Sequence, residues 1–432
     1  MTPAARLSAA IEVLADLDAR RRPVGDALKD WGLAHRFAGS KDRAALASLV
    51  YDALRRKASA GWIMEEDSPR AVLLGTLKLQ RGLDAEAIAA LCSGERFAPA
   101  ALSDEERLRL ATRTLDDAPA AVAGDFPEWV EPSLRRLFGE DLVPELRALA
   151  ARAPLDLRVN TLKAESRDET REALSHLGAV ETPHSPLGLR IRPKEDGRGP
   201  AVQAEPEFLK GRIEIQDEGS QIATLLSAAR PGDQVVDLCA GGGGKTLALA
   251  AMMDNHGQIY AADTDARRLA PIHERLSRAG ARNVQVRTPR GRADPIPDLD
   301  GKIDCVLVDA PCTGSGTWRR NPDAKWRLRP GSLGTRRSEQ AAVLDRAVRL
   351  LRPGGRIVYV TCSVLPEEND GAVDALLGRS GELEPVPAAE VLARAGLPNL
   401  TDHLRLTAQG LQMTPLKTGT DGFYVSVLGR RG

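Results

Sequence analysis

Along the first 145 residues, apolar positions recur at intervals of three and four. Asp42–Arg56 (DRAALASLVYDALRR) shows this most clearly, and Ala5–Leu17 is Ala- and Leu-rich with the same spacing. Such spacing lays one apolar stripe along a helix. Pro69 and Pro99 punctuate further helical runs, and SLRRLFGEDLVPELRALA, within Glu131–Ala151, reads as a helical pair broken near Gly139 and Pro144. Residues 1–150 are therefore expected to form an all-helical domain. Near Pro154 the period shortens to two. Leu155–Leu162 (LDLRVNTL) alternates as a strand does, Arg167–Leu177 reads as a helix, and Leu189–Ile191 and Arg212–Ile215 read as short strands. With a Pro/Gly-rich loop over Pro193–Pro206, this predicts a small α+β segment across 151–215.

From Ile215 onward, strands and helices alternate. A helix is expected after Asp217, a suitable N-cap. Strand Gln234–Leu238, helix Thr246–Met253, strand Gln258–Ala262, helix Ala266–Ala279 and strands Val284–Arg287 and Cys305–Asp309 follow. Helix Glu339–Leu351, a Pro353-Gly354-Gly355 turn, strand Arg356–Val360 and a last strand over Gly422–Leu428 complete the series. Apolar strands alternating with helices predict a doubly wound, mostly parallel α/β sheet over 216–432. Ligands of such sheets bind beyond the carboxyl ends of the strands, so the residues just after each strand carry the interest.

Composition narrows the picture. A chain of 432 residues suggests two or three domains, and 60 basic against 60 acidic residues exclude a globally basic nucleic-acid binder while leaving room for a local basic face. No apolar stretch is long enough for a membrane span, and Glu12, Asp16 and Asp18 interrupt the region where a signal peptide would be apolar. A cytoplasmic protein without a membrane partner is expected, and nothing suggests an obligate dimer. The five cysteines (Cys92, Cys239, Cys305, Cys312, Cys362) are odd in number and include no C-x-x-C pair, so reduced thiols are expected. With the six histidines scattered, no metal site is expected.

The first candidate for chemistry is DLCAGGGGKT, Asp237–Thr246, between a strand and a helix. Consecutive glycines let backbone N–H groups converge on a ligand. A Walker A loop would need glycine where Cys239 stands, and the dinucleotide fingerprint would need glycine at Thr246, so both fail. Asp263, at the end of the next strand, suits a carboxylate that binds a ribose. A nucleoside-bearing cofactor without pyrophosphate is implied, and S-adenosylmethionine fits best.

The second candidate is a pair of thiols. Cys312 closes DAPC after one strand, with Asp309 three residues earlier, and Cys362 lies in TCSVLPEEN after another. Carbon 5 of cytosine is too weak a nucleophile to take a methyl group directly. A thiolate that adds to carbon 6 converts the ring into an enamine-like nucleophile, and a second thiol could assist product release. Between the cysteines, Arg319, Arg320, Lys325, Arg327, Arg329, Arg336 and Arg337 face one acid, Asp323, with Trp318 and Trp326 interleaved. Cations with aromatics suit phosphate contact and base stacking, which nominates Arg319, Arg320, Lys325 and Trp326 as RNA contacts.

Over about 154–432 the chain resembles the Sun/Fmu (RsmB/NOP2) family of S-adenosylmethionine-dependent RNA cytosine-5 methyltransferases. The resemblance is carried by RVNTLK, IQDEGSQ, DLCAGGGGKT, DAPCTGSGTWRRNPDAKW, LRPGGRIVYVTCSVLPEEN and DGFYVSVL. SKDRAALASLVYDALR in the first domain resembles the NusB-like RNA-binding domain of that family. The resemblance implies a class I, Rossmann-like methyltransferase fold behind a NusB-like helical domain, S-adenosylmethionine as cofactor and ribosomal RNA as partner. It also implies Cys239, Ala240, Gly241, Gly242, Gly243, Gly244 and Lys245 as the cofactor loop, Cys362 as the nucleophile, Cys312 as the cysteine that assists release, Asp263 as the ribose acid and Asp309 as the acid near the methyl donor and target base, both binding the cofactor. Two departures stand out. Gly242 replaces the family's usual proline, and the stretch Arg287–Pro295 (RTPRGRADP) lacks the usual adenine-binding acid, for which Asp294 comes several residues late. Two other readings remain open: a methyltransferase for a protein or small molecule, which would not need the thiol pair, and a non-catalytic RNA-binding assembly factor.

Overall fold

The structure is a computed structural model that describes the chain apart from residues 194–198, 290, 292 and 432. Its contacts divide the chain into two compact units. The first takes in Met1–Arg152 together with Trp318–Leu328, and the second takes in Ala153–Arg192, Gly199–Thr317 and Arg329 onward.

The first unit is helical, as the spacing of three and four predicts. Pro3–Arg20, Ser40–Arg55 and Pro69–Arg81 turn Leu7, Val13, Leu46, Val50, Leu73 and Leu74 into one core. Their starts follow from capping chemistry. The Thr2 and Ser68 side chains accept N–H bonds from Ala5 and Ala71, with proline in each first turn. Cys92 is buried in this core.

The second unit begins with a small antiparallel sheet of β1 (Leu155–Val159), β2 (Val180–Glu181), β3 (Gly188–Ile191) and β4 (Ile213–Ile215), in the order β2-β3-β1-β4. Part of the loop expected over Pro193–Pro206 lies outside the described residues. Its remainder forms short helical turns at Val202–Ala204 and Pro206–Leu209. The larger sheet contains β5 (Gln234–Asp237), β6 (Gln258–Ala262), β7 (Val284–Arg287), β8 (Ile303–Asp309), β9 (Leu351–Thr361), β10 (Leu383–Pro385), β11 (Arg405–Leu406), β12 (Leu411–Met413) and β13 (Phe423–Arg430). Its order is β11-β12-β13-β9-β8-β5-β6-β7, with β10 paired to β13. The run β9-β8-β5-β6-β7 is parallel, and β13 lies antiparallel to β9. The fold is thus a mostly parallel α/β sheet of the class I methyltransferase type.

Alternate residues of the central strands feed two cores. Cys305, Leu307, Val358 and Val360 pack on one face with helices Glu218–Leu225 and Gly244–Met252. Val306, Val308, Ile357 and Tyr359 pack on the other with helices Pro330–Leu350 and Asp370–Leu377. Helices on both faces explain why these strands read as continuous apolar runs. Pro271 divides the helix expected over Ala266–Ala279 into Ala266–Leu269 and Ile272–Ala279. The Pro353-Gly354-Gly355 turn is taken up inside β9 as an irregularity, because Ile303 pairs with Leu351 while Cys305 pairs with Arg356. Among the described residues no helix is long and apolar enough to cross a membrane.

Candidate active site

Strand order fixes where the site must be. β5 has β6 on one side and β8 on the other, so the chain reverses its direction of winding at β5, and a crevice opens at the carboxyl ends of β5 and β8. The glycine loop leaves β5 there, and Asp309 ends β8. Cys362 follows the last residue of the adjacent β9.

In the glycine loop, Gly243 caps the helix Gly244–Met252 at φ +83°, where the backbone favours glycine. A Cβ there would lie 2.5 Å from Cγ1 of the fully buried Ile272. Gly243→Ala should therefore destabilise the fold by about 2 kcal/mol or more, read by denaturant unfolding, and should weaken methyl-donor binding in the same preparation. The Gly241 N–H donates to Asp263 Oδ2 at 3.0 Å, and the Asp265 N–H donates to Oδ1 at 3.0 Å. The expected ribose acid thus lies against the loop, nearly buried, with Arg268 beside it. Arg275 donates to the Gly242 carbonyl at 2.6 Å and to Glu214 at 3.0 Å, which pins the position where the family usually has proline.

Asp237 ends β5 beneath this loop and is 1% exposed. Its Oδ2 accepts the Thr246 hydroxyl at 2.6 Å, while its Oδ1 is a buried acceptor without a protein partner. Burial pushes its carboxyl up to about 7, with the Thr246 bond opposing the shift and Asp309 adding to it. A carboxyl raised in the fold contributes stability fully below its ordinary range, and this is lost as pH rises through 7. Between pH 5 and 8.5 the wild type should lose about 2.7 kcal/mol from this group, roughly two pH units at ~1.36 kcal/mol each, and Asp237→Asn should remove most of that loss. Urea unfolding at pH 5, 7 and 8.5 measures it.

Lys245 is buried, and its ammonium donates to Asp309 Oδ2 at 2.7 Å, 5.3 Å from the centre of the Phe423 ring. Burial opposes the charge, but the Asp309 pair outweighs it, and Cys362 and Asp237 lie close enough to raise the ammonium further. With Lys245 committed to Asp309, the crevice is lined by Asp237, Asp263 and Asp309. Carboxylates beside a glycine loop that permits close backbone approach disfavour pyrophosphate and suit a nucleoside that carries a cationic sulfonium and an ammonium. The residues present therefore fit S-adenosylmethionine.

The two candidate thiols meet. Cys312 Sγ and Cys362 Sγ are 3.4 Å apart, and both residues are partly accessible free cysteines. The hydrogen bond to Cys362, together with burial, pushes the Cys312 thiol well up, so Cys312 keeps its proton; either sulfur can donate in the bond between them. Close packing holds the two loops together. The Gly316 N–H donates to the Cys362 carbonyl at 3.0 Å, and the Gly422 N–H to the Gly316 carbonyl at 2.8 Å. A Cβ on Gly316 would stand 2.0 Å from the Gly422 oxygen, so only glycine fits there.

The chain is 32% identical over 333 residues to the ribosomal RNA small subunit methyltransferase B of Sodalis glossinidius, which covers 76% of this chain and 69% of that one. It belongs to the RsmB/F family of 16S rRNA methyltransferases. The model of that family matches residues 223–429. Similarity also runs over nearly the whole length of the probable ribosomal RNA small subunit methyltransferase B of Synechocystis sp., at 28% identity across 96% of this chain and 97% of that one. Among solved structures, a methyltransferase homolog protein from Pyrococcus horikoshii matches with a TM-score of 0.58 and 27% identity, over 72% of this chain and 97% of that one. Membership in RsmB/F sets aside a protein or small-molecule methyltransferase and a non-catalytic factor.

The structure corrects one part of the sequence reading. Arg319, Lys325 and Trp326 do not form a free cationic face for RNA. Within the first unit, Arg319 is 4% and Lys325 1% exposed. The Lys325 ammonium donates to the carbonyls of Arg55 at 3.1 Å and Asp125 at 2.6 Å, and burial brings its pKa down to about 7. Trp326 donates to the Leu54 carbonyl at 2.7 Å and packs on the helical core. Arg320 is half-buried. The Lys325 and Trp326 side chains hold Trp318–Leu328 in the helical unit. Asp294, already late for an adenine-binding acid, is paired with Arg346 at 2.8 Å, and Arg290 and Arg292 of the same stretch lie outside the described residues.

Proposed function

We propose that this RsmB/F methyltransferase transfers a methyl group from S-adenosylmethionine to carbon 5 of a cytosine in ribosomal RNA, through a transient bond between Cys362 and carbon 6. The observation that carries this reading is the 3.4 Å approach of the two sulfurs beside the Asp309–Lys245 pair, at the strand ends where the glycine loop opens. A single reactive thiol would serve other chemistries. Two thiols in contact, one of them held protonated, match a reaction that needs addition followed by expulsion.

When bound, S-adenosylmethionine supplies an electrophilic methyl group. The Gly241–Gly244 backbone and Asp263 are the groups placed to hold its nucleoside and amino-acid portions. Cys362 takes the nucleophile's role, beside Cys312, whose thiol is pushed up and keeps its proton. Asp309, 35% exposed at its side chain while bonded to Lys245, has acceptor capacity left for the polar edge of a base. The cytosine must leave its stack to reach the thiol. Cys312 stands where the later loss of the carbon-5 proton and of the Cys362 thiolate must occur.

The test is transfer of labelled methyl from S-adenosylmethionine to ribosomal RNA, followed by bisulfite sequencing of the product. Protection of one cytosine is expected. Label on a base nitrogen or a ribose hydroxyl would overturn the proposal.

A further inference from the structure

We propose that Glu368 is a positioning residue that sets the separation of the two reacting sulfurs by tying the loop after β8 to the loop after β9. The proposal rests on the reading of Cys312 and Cys362 as the reacting pair, but the geometry it concerns is measurable without that reading. The two cysteines are 50 positions apart in the chain and stand on loops from different strands, so nothing covalent fixes their distance. Glu368 lies downstream of both and is fully buried. Its Oε1 accepts the Thr313 N–H at 2.8 Å and the Gln340 side-chain amide at 3.2 Å. Its Oε2 accepts the Ser363 hydroxyl at 2.6 Å and the Thr313 hydroxyl. Thr313 directly follows Cys312, and Ser363 directly follows Cys362. One carboxylate therefore grips the chain one residue beyond each sulfur.

The surrounding bonds extend the same tie. The Gln340 amide also donates to the carbonyl of Pro311, on the other side of Cys312, at 2.9 Å. Because the Ser363 proton goes to Glu368, the 2.9 Å bond between the Ser315 and Ser363 hydroxyls must be donated by Ser315. Ser315 in turn accepts the Val364 N–H at 2.9 Å, again joining one loop to the other. Four donors converge on Glu368, which is the capacity of an ionised carboxylate, an acceptor without a proton of its own. Glutamine in its place would set an NH2 group against two of those donors. Burial pushes this carboxyl up, and the Ser363, Thr313 and Gln340 bonds oppose that shift. A buried acid is a costly way to fill space, and its four partners are confined to the two cysteine loops and the helix behind them.

The experiment compares wild type, Glu368→Gln and Thr313→Val in the full chain. Thr313→Val removes one hydroxyl donor from a partly exposed residue and serves if Glu368→Gln does not fold. Limiting diamide oxidises two thiols to a disulfide and is itself reduced to the hydrazine, so the rate of Cys312–Cys362 closure, followed by peptide mapping after alkylation, reports sulfur separation whatever the catalytic roles. Closure should slow by about 5-fold or more and kcat should fall by ~10-fold or more while KM for RNA stays within ~3-fold, since misplacement at the reacting atoms costs rate rather than binding. Folded variants that close the disulfide at the wild-type rate would overturn the proposal, whether or not kcat falls. Slower closure in Glu368→Gln, alongside full activity in Cys362→Ala, would sustain the positioning role while refuting the nucleophile assignment.

Discussion

Cys362→Ala should abolish methyl transfer, with kcat falling by ~10⁴-fold or more, because an enzyme that relies on a covalent intermediate has no substitute route once the nucleophile is gone. The fold should survive. Cys362 is only partly buried, and the elements that place it, β9 and the Ser315–Ser363 and Gly316–Cys362 bonds, do not use its sulfur. Binding of S-adenosylmethionine should change little, since the groups proposed to hold it are the Gly241–Gly244 backbone and Asp263, on the loops after β5 and β6. Isothermal titration with S-adenosylhomocysteine and a labelled-methyl assay on ribosomal RNA separate the two effects. The variant should also form no denaturant-stable complex with RNA that carries 5-fluorocytosine, in which fluorine replaces the carbon-5 proton and cannot leave as a cation. Substantial turnover by Cys362→Ala would mean that the other cysteine attacks, and the protonated state assigned to Cys312 would have to be reversed.

Much of this site was legible in the sequence because its parts follow strands whose apolar runs are unmistakable. The ends of β5, β6, β8 and β9 carry Asp237 with the glycine loop, Asp263, Asp309 and Cys362, and doubly wound topology brings strand ends to one edge. Side-chain destinations that depend on tertiary packing were not legible. Lys325 and Trp326 have the composition of an RNA-binding loop, yet the same aliphatic stem and indole that would contact RNA instead seal the helical unit, with carbonyls of Arg55, Asp125 and Leu54 as partners. Glu368 sat in a quoted motif without a role, because a buried carboxylate and a solvated one are the same letter. Nothing in the letters separated it from Glu367 beside it, in a run that continues with the polar Asn369 and Asp370. Helix Pro330–Leu350 starts well before the expected Glu339, since its first turns bury little and leave no apolar stripe. β10, β11 and β12 are two or three residues long and too short to show a period.

Cys312→Ala should do the opposite of Cys362→Ala: it should leave attack intact and stall release. Turnover should fall by about 10²–10⁴-fold, the usual worth of a positioned acid–base group, while a covalent protein–RNA complex accumulates toward one per enzyme. What holds the Cys312 proton changes as the reaction proceeds. Its thiol is pushed up first by its hydrogen bond to Cys362, then by burial and by the charge of Cys362. Once Cys362 is bonded to carbon 6 it is a neutral thioether, so the first and third of those causes vanish together, leaving burial and the charge of Glu368, opposed by the backbone bond at Gly314. Cys312 therefore becomes easier to ionise at the stage when a base is needed to remove the carbon-5 proton, and the electrons of that C–H bond re-form the ring double bond as the Cys362 sulfur departs. The pair titrates as a unit whose second proton is released by chemistry at the first sulfur. Denaturing gel electrophoresis of Cys312→Ala with labelled RNA and S-adenosylmethionine should show a slowly migrating band that carries the methyl label, and Cys312→Ala/Cys362→Ala should show none. A Cys312→Ala enzyme that releases product at the wild-type rate would mean that another group takes the proton, and Asp309, the remaining carboxylate at the strand ends, would be the next to test.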